Sequence, residues 1–267
     1  DGDRVITPSE LGRIAAQTAK QVMIQKIREA ECSAISNEYA ERINSIASGS
    51  VHRFEGPNII VNLGRTEGFL PRSEQIASET YHVGERIRAL IIEVRSSGGK
   101  VKVILSRCRP EFVGRLFELE VPEVTDGVIR IMGIAREPGH RTKAAVHSLD
   151  PKVDAVGACV GVHGSRIRGI VDELNGEKID VVPWSDLPDV LIANTLKPAE
   201  IEQILLDDDS RRAIVIVPED QLSLAIGKRG QNVRLASKLT GWDIDIKTRV
   251  EHETGARRDP PQPADPT

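Results

Sequence analysis

Aromatic residues are scarce, only 3% of 267, with 2 Trp, 2 Tyr and 4 Phe. Cores must therefore be aliphatic, built from Val, Ile, Leu and Ala. Any surface that stacks nucleobases on aromatic rings has little to draw on. Cysteine is nearly absent as well. Cys32, Cys108 and Cys159 are far apart and follow neither a pairing nor a metal-ligand spacing, which argues against a disulfide scaffold or zinc module and predicts a reducing, cytoplasmic setting. No apolar run approaches the ~18 residues that a membrane span needs, and no signal peptide opens the chain, so no membrane association is expected. Asp1 in place of an initiator Met suggests the internal start of a longer protein.

Catalytic constellations are missing too. The 6 histidines are scattered, with no ligand cluster. Asp207, Asp208 and Asp209 fall between two strand patterns and read as a solvated turn. Nothing resembles a nucleophile elbow or an activated cysteine, so no enzyme activity, metal or cofactor is expected. An excess of positive charge is also lacking: Lys plus Arg is 36 against 40 Asp plus Glu, giving 36 − 40 = −4. Because phosphate neutralisation drives nucleic-acid affinity, charge has to be judged locally. Residues 161–170 carry Arg166 and Arg168 and no carboxylate. Residues 226–238 carry Lys228, Arg229, Arg234 and Lys238 and none either.

What is present is a strong order of elements. Thr7-Pro8-Ser9-Glu10 reads as a capping box that opens a helix over 8–31. Two apolar seams, Leu11, Ile14, Ala15, Thr18, Val22 and Ala16, Ala19, Met23, Ile27, are open to two readings: burial on two sides as a connector between domains, or a helix packed on its own domain. Five short β-rich runs follow at 46–54, 58–63, 67–70, 86–95 and 100–106, the last two joined by a Ser96-Ser97-Gly98-Gly99 hairpin tip. Five strands in about 60 residues suit an OB barrel.

After Pro110 one pattern is written twice: helix 112–119, strands 128–134 and 141–146, helices 153–160 and 165–174, strand 178–182; then helix 186–196, strands 201–206 and 211–217, helices 218–226 and 231–239, strand 243–248. The offset is 227 − 161 = 66 residues, and such an internal repeat organises the chain. The expected fold class is multidomain α+β. It comprises an N-terminal linker-helix region (1–43), an OB-fold β-barrel (44–107), two tandem KH domains of the αββααβ type (108–184 and 185–250), and a disordered Pro-rich tail (251–267).

The repeat carries the chemistry. Gly161-Val162-His163-Gly164 and Gly227-Lys228-Arg229-Gly230 each sit between two helices. Unpaired N–H groups at the second helix's start make a phosphate seat. Glycine at both ends lets a sugar-phosphate backbone come close. Ala158, Val160, Ile167, Ile226 and Val233 can line an apolar groove for bases, as in a KH clamp of about four nucleotides. A P-loop is excluded, because the Gly-Lys-Ser/Thr ending is missing. The candidate RNA-binding residues are Gly161, Val162, His163, Gly164, Ser165, Arg166 and Ile167 in the first copy. In the second they are Gly227, Lys228, Arg229, Gly230, Gln231, Asn232 and Arg234. Arg141, Lys143, Arg168, Lys238 and Arg107 form an outer set. The barrel is open to two readings: an RNA tracker using its arginines and lysines, or a spacer that docks protein.

Residues 11–22 (LGRIAAQTAKQV) with 25–31 (QKIREAE), and residues 225–242 (AIGKRGQNVRLASKLTGW), together with the order barrel, KH, KH, resemble the NusA family of bacterial transcription elongation and termination factors over roughly 8–250. The resemblance implies a protein that binds nascent single-stranded RNA, including ribosomal RNA leaders. It implies action on pausing, termination and antitermination, with RNA polymerase contacted mainly through an N-terminal domain outside this chain and other antitermination factors as further partners. A monomer is expected, with barrel and KH folds docked as one rod and both glycine loops on one face. The alternative is the RNA-binding subunit of an RNA-processing or degradation complex. A ribosomal protein fits poorly with a pI of about 5.9.

The two loops are not equal in charge. Lys228→Ala with Arg229→Ala should flatten the dependence of log affinity on log salt more than Val162→Ala with His163→Ala does; equal flattening would contradict the assignment.

Overall fold

The structure, a computed structural model, describes residues 8–97 and 99–254. They divide into two compact units after Phe112. In the first, helix α1 (Pro8–Ala40) runs past its expected end at Glu31. Ser33, Ser36 and Asn37 are indifferent helix formers, but Cys32, Ile35 and Tyr39 share a face and pack on the barrel core, Tyr39 being buried. Tertiary packing sustains the helix there. Cys32 Sγ donates to Gly99 O at 2.7 Å, and Arg65 pairs with Glu38 at 2.8 Å. Two-sided burial of α1 is not found: residues 12–31 are all exposed. Thr7 and the capping box it would form lie outside the described residues.

The barrel is closed in the order β1 (Ile46–Glu55), β2 (Asn58–Asn62), β3 (Glu67–Leu70), β5 (Lys100–Ser106), β4 (Arg86–Ser97). β3 and β5 are parallel and the other pairs antiparallel. Closure leaves no free edge. Val51, Val61, Leu70, Ile91, Val103 and Leu105 fill the interior, the aliphatic core that the lack of aromatics demanded. β4 and β5 stay paired up to Ser97 and Lys100; Gly98 of the expected tip lies outside the described residues. Arg107 was expected on an RNA-facing surface. It is instead buried, bound through Nε and Nη2 to Glu79 (2.7 and 2.6 Å) and through Nη1 to Arg88 O (2.6 Å).

The second unit holds the repeat. Helix α2 (Pro110–Glu120) and a short turn, α3 (Pro122–Thr125), precede β6 (Ile129–Glu137), β7 (Arg141–Ser148), α4 (Ala155–Val160), α5 (Ser165–Glu173) and β8 (Lys178–Pro183). Then come α6 (Pro188–Leu196), β9 (Gln203–Asp207), β10 (Arg212–Ile216), α7 (Leu222–Ile226), α8 (Gln231–Thr240), β11 (Asp243–Lys247) and α9 (Arg249–Thr254). Both sheets have the same plan, with middle strands β7 and β10 antiparallel to the strand before them and parallel to β8 and β11. The second core gathers Ile192, Leu196, Val215, Ala236, Trp242 and Ile246. Helix α9 corrects the tail: residues 251–254 are helical, started by a reciprocal cap in which Thr248 N–H donates to Glu251 Oε2 (2.8 Å) and Glu251 N–H to Thr248 Oγ1 (3.3 Å). Residues 255–267 lie outside the described residues.

The two KH modules touch. Helix α8 lies against β6 and β7, so closely that a Cβ on Gly133 would stand 3.2 Å from Leu239 Cδ1. With α4 also against it, β7 is covered on both faces, and Thr142, Lys143, Ala144, Ala145 and Val146 are buried in succession. Lys143, expected to reach RNA, is thus interior and pairs with Asp180 at 3.1 Å. Burial pulls its ammonium below the ordinary lysine value, with Asp180 opposing. Arg141 is tied to the same carboxylate at 2.7 Å.

Beside them Arg136 and Glu177 form an ion pair with both side chains 0% exposed. Glu177 accepts Arg136 Nε and Nη2 (both 2.9 Å), Gly139 N–H (2.8 Å) and Thr142 Oγ1 (2.5 Å). It thereby joins the β6–β7 hairpin to the entry of β8. Glu177→Ala should destabilise this unit by about 3–5 kcal/mol in denaturant unfolding, because it strands a buried guanidinium; a loss under about 1 kcal/mol would show that the pair is not structural.

Candidate nucleic-acid interface

Each glycine loop is a sharp connection between two helices. α4 starts with Asp154 accepting Val156 N–H at 3.1 Å, and it ends at Gly161 (φ 75°, ψ 171°). A single tight turn follows through His163 (φ 51°, ψ 28°) and Gly164 (φ 74°, ψ 19°) into α5. In the second module α7 ends at Gly227 (φ 75°, ψ 170°), and the turn passes Arg229 (φ 53°, ψ 31°) and Gly230 (φ 71°, ψ 15°) into α8. The angles agree to within 4°, the widest difference being 19° − 15° at the second glycine. Gly164 and Gly230 N–H close the turns on Gly161 and Gly227 O at 3.0 and 3.1 Å.

The glycines are needed for different reasons. At Gly161 and Gly227 the backbone lies in a region essentially confined to glycine. There is no room either: an added Cβ would stand 2.8 Å from Arg166 Cγ or 2.7 Å from Asn232 Cβ. At Gly164 and Gly230 the nearest atoms are 3.8 and 4.0 Å away, so only the left-handed φ asks for glycine.

Under the first glycine of each loop sits a brace to the preceding helix. Arg166 donates from Nη1 to Ala158 O (2.6 Å) and Glu123 (2.8 Å). Asn232, 4% exposed, donates from Nδ2 to Ala225 O at 2.9 Å. Both were expected to meet RNA; in the fold Arg166 Nη1 and Asn232 Nδ2 are engaged by these braces, while Asn232 Oδ1 is buried without a hydrogen-bond partner among the described residues. A second brace holds the left-handed middle residue: Arg168 donates to His163 O, and Arg234 Nη1 to Arg229 O at 3.4 Å. The spacing is 168 − 163 = 234 − 229 = 5 residues, a signal that was readable in the sequence.

The structure turns the middle pairs outward. Val162 is 77% exposed, and His163, Lys228 and Arg229 are exposed with it, as are Ser165, Arg168, Arg234 and Lys238. Ala158, Val160 and Ile167 beside the first loop, and Ile226 and Val233 beside the second, are half-buried, as an apolar groove requires. The second loop is less purely basic than its sequence suggests. Glu137, at the end of β6, accepts Arg234 Nε at 2.6 Å and Gln231 Nε2 at 2.8 Å. The hydrogen bond from Arg234 holds Glu137 below the usual carboxylate range, and the same bond raises Arg234. Glu137 and Glu123 carry no local sequence signal; only the fold brings them in. Cys159, a buried residue of α4, has its thiol pushed up to about 11 by burial, unlike a reactive cysteine.

Family models match four segments: a NusA N-terminal domain at residues 2–33, an S1 RNA binding domain at 41–106, a NusA-like first KH domain at 107–184 and a NusA-like second KH domain at 188–254. Curated proteins called transcription termination/antitermination protein NusA are similar along most of the chain. That of Halalkalibacterium halodurans is 49% identical, over 92% of this chain and 64% of its own length. That of Bacillus subtilis is 48% identical, over 92% and 66%, and that of Mycobacterium bovis 44%, over 90% and 72%. The chain therefore spans under two thirds of the first two relatives.

The geometry ranks the glycines. Gly227→Ala should cost about 1–3 kcal/mol in chemical denaturation and more than Gly230→Ala, which meets only the left-handed penalty of about 1–2 kcal/mol. The reverse order would contradict the close-approach account.

Proposed function

The chain belongs to the NusA family, and from that premise we propose that it is a single-stranded RNA-binding regulator of transcription termination and antitermination. The observation that carries this reading is the pair of glycine loops, alike in backbone angle, each opening a helix with an exposed middle pair. Backbone N–H groups and the positive end of α5 or α8 favour a phosphate there. The half-buried aliphatic side chains next to each loop accept bases by contact rather than by aromatic stacking.

The proposed contact set is Gly161, Val162, His163, Gly164, Ser165, Ile167 and Arg168 with Gly227, Lys228, Arg229, Gly230, Gln231, Arg234 and Lys238. Two clamps of about four nucleotides call for an extended strand of about eight or more. The RNA is a nascent transcript, ribosomal RNA leaders included. RNA polymerase is engaged mainly through sequence N-terminal to the barrel, and the setting is the bacterial cytoplasm. This assignment takes up the activity that the relatives' name describes.

The test is a titration of the chain onto a single-stranded RNA of about ten nucleotides and onto a duplex of equal length, alongside single-round transcription across an intrinsic terminator by bacterial RNA polymerase. Tighter binding to the single strand is expected, with Lys228→Glu plus Arg229→Glu weakening it at least tenfold (about 1.4 kcal/mol or more) and reducing the effect on termination. Equal binding by that variant would remove the loops from the RNA site.

A further inference from the structure

The second clamp borrows a residue from the first KH module. Gln231 and Arg234 stand on the opening turn of α8, directly after Gly230, and both are held by the Glu137 carboxylate at the end of β6. Arg234 then passes the restraint on to Arg229 O, the carbonyl of the left-handed residue in the loop. In the first clamp only half of this arrangement exists: Arg168 holds His163 O, and among the described residues no carboxylate forms an ion pair with Arg168.

We propose that Glu137 is a positioning residue for RNA binding, fixing Arg234 and Gln231 so that the second clamp is preorganised only while the first module is docked against α8. The proposal rests on the reading of the glycine loops as RNA clamps. Two effects of Glu137 oppose each other. Its charge repels an incoming phosphate, but that repulsion acts through water and is screened by salt. Its hydrogen bond takes only Nε of the five guanidinium N–H donors and the bond to Arg229 O one N–H of Nη1, leaving Nη2 and the second N–H of Nη1 to the ligand. Holding a long, rotamer-rich side chain in place beforehand removes an ordering cost that binding would otherwise bear. Ordering is the larger effect, so loss of Glu137 weakens binding.

The experiment measures anisotropy of a labelled, randomised RNA pool about ten nucleotides long with the full chain and with Glu137→Ala, Glu137→Gln, Arg234→Ala and Glu137→Ala/Arg234→Ala. Both Glu137 variants should bind about 3- to 10-fold more weakly, Arg234→Ala at least as weakly, and the double variant should fall well short of the product of the two single losses, since only the hold on Gln231 remains to be lost. Glu137→Gln keeps the size and one acceptor, so it guards against a variant that only misfolds; thermal unfolding of each variant is recorded. A purely structural role would weaken the Arg234→Ala background by the full factor seen in the unaltered chain, and such fully multiplied losses overturn the proposal. So does wild-type or tighter binding by the Glu137 variants. If the unaltered chain fails to bind the RNA, the clamp reading falls with it; if it binds and the Glu137 variants match it, only the positioning role falls.

Discussion

The backbone at Gly161 and Gly227 is the constraint from which the rest of the second unit follows. With φ near +75° and ψ near 170°, the chain leaves one helix and enters the next within one turn. No side chain fits, because Arg166 and Asn232 already fill the space. That closeness lets those residues reach back to Ala158 O and Ala225 O and lock the helix pair. The same turn forces His163 and Arg229 into the left-handed region, where Arg168 and Arg234 hold their carbonyls. A loop built in this way presents its middle pair without having to order it at the moment of binding.

Charge is arranged locally rather than in bulk. A chain of net charge −4 supports a basic site because its acids are placed as partners: Glu177 for Arg136, Asp180 for Arg141 and Lys143, Glu79 for Arg107, Glu137 for Arg234. Lys228, Arg229, Arg168 and Lys238 stand exposed at the two loops and on the helices they open. Where α8 covers β6 and β7, one module's sheet becomes the support for the other module's clamp.

Legibility in the sequence followed the range of the interactions. The 66-residue repeat, the five barrel strands and the glycine loops rest on local spacing, and the structure has all of them. Helix α1 was cut short because Ile35 and Tyr39 gain their reason only from the barrel. Lys143 was misplaced because β7 is covered on both faces, so the alternation of inside and outside that marks a half-buried strand does not apply. The bonds that Asn232 and Arg166 make to Ala225 O and Ala158 O are invisible in the sequence until the turn is built. Glu137 stands 234 − 137 = 97 residues before Arg234, beyond any local pattern. The cap formed by Thr248 and Glu251, like the five-residue spacing from His163 to Arg168 and from Arg229 to Arg234, is a local pattern within reach of the sequence.

That the two loops act as one extended RNA site is tested most directly by affinity against RNA length, with single strands of about four to about twelve nucleotides of one repeated composition. One site spanning both modules predicts weak binding at about four nucleotides, a steep gain up to about eight to ten and a plateau beyond, at one RNA per chain. Affinity that is flat across this range, or two short RNAs bound per chain with no gain from joining them, would contradict it.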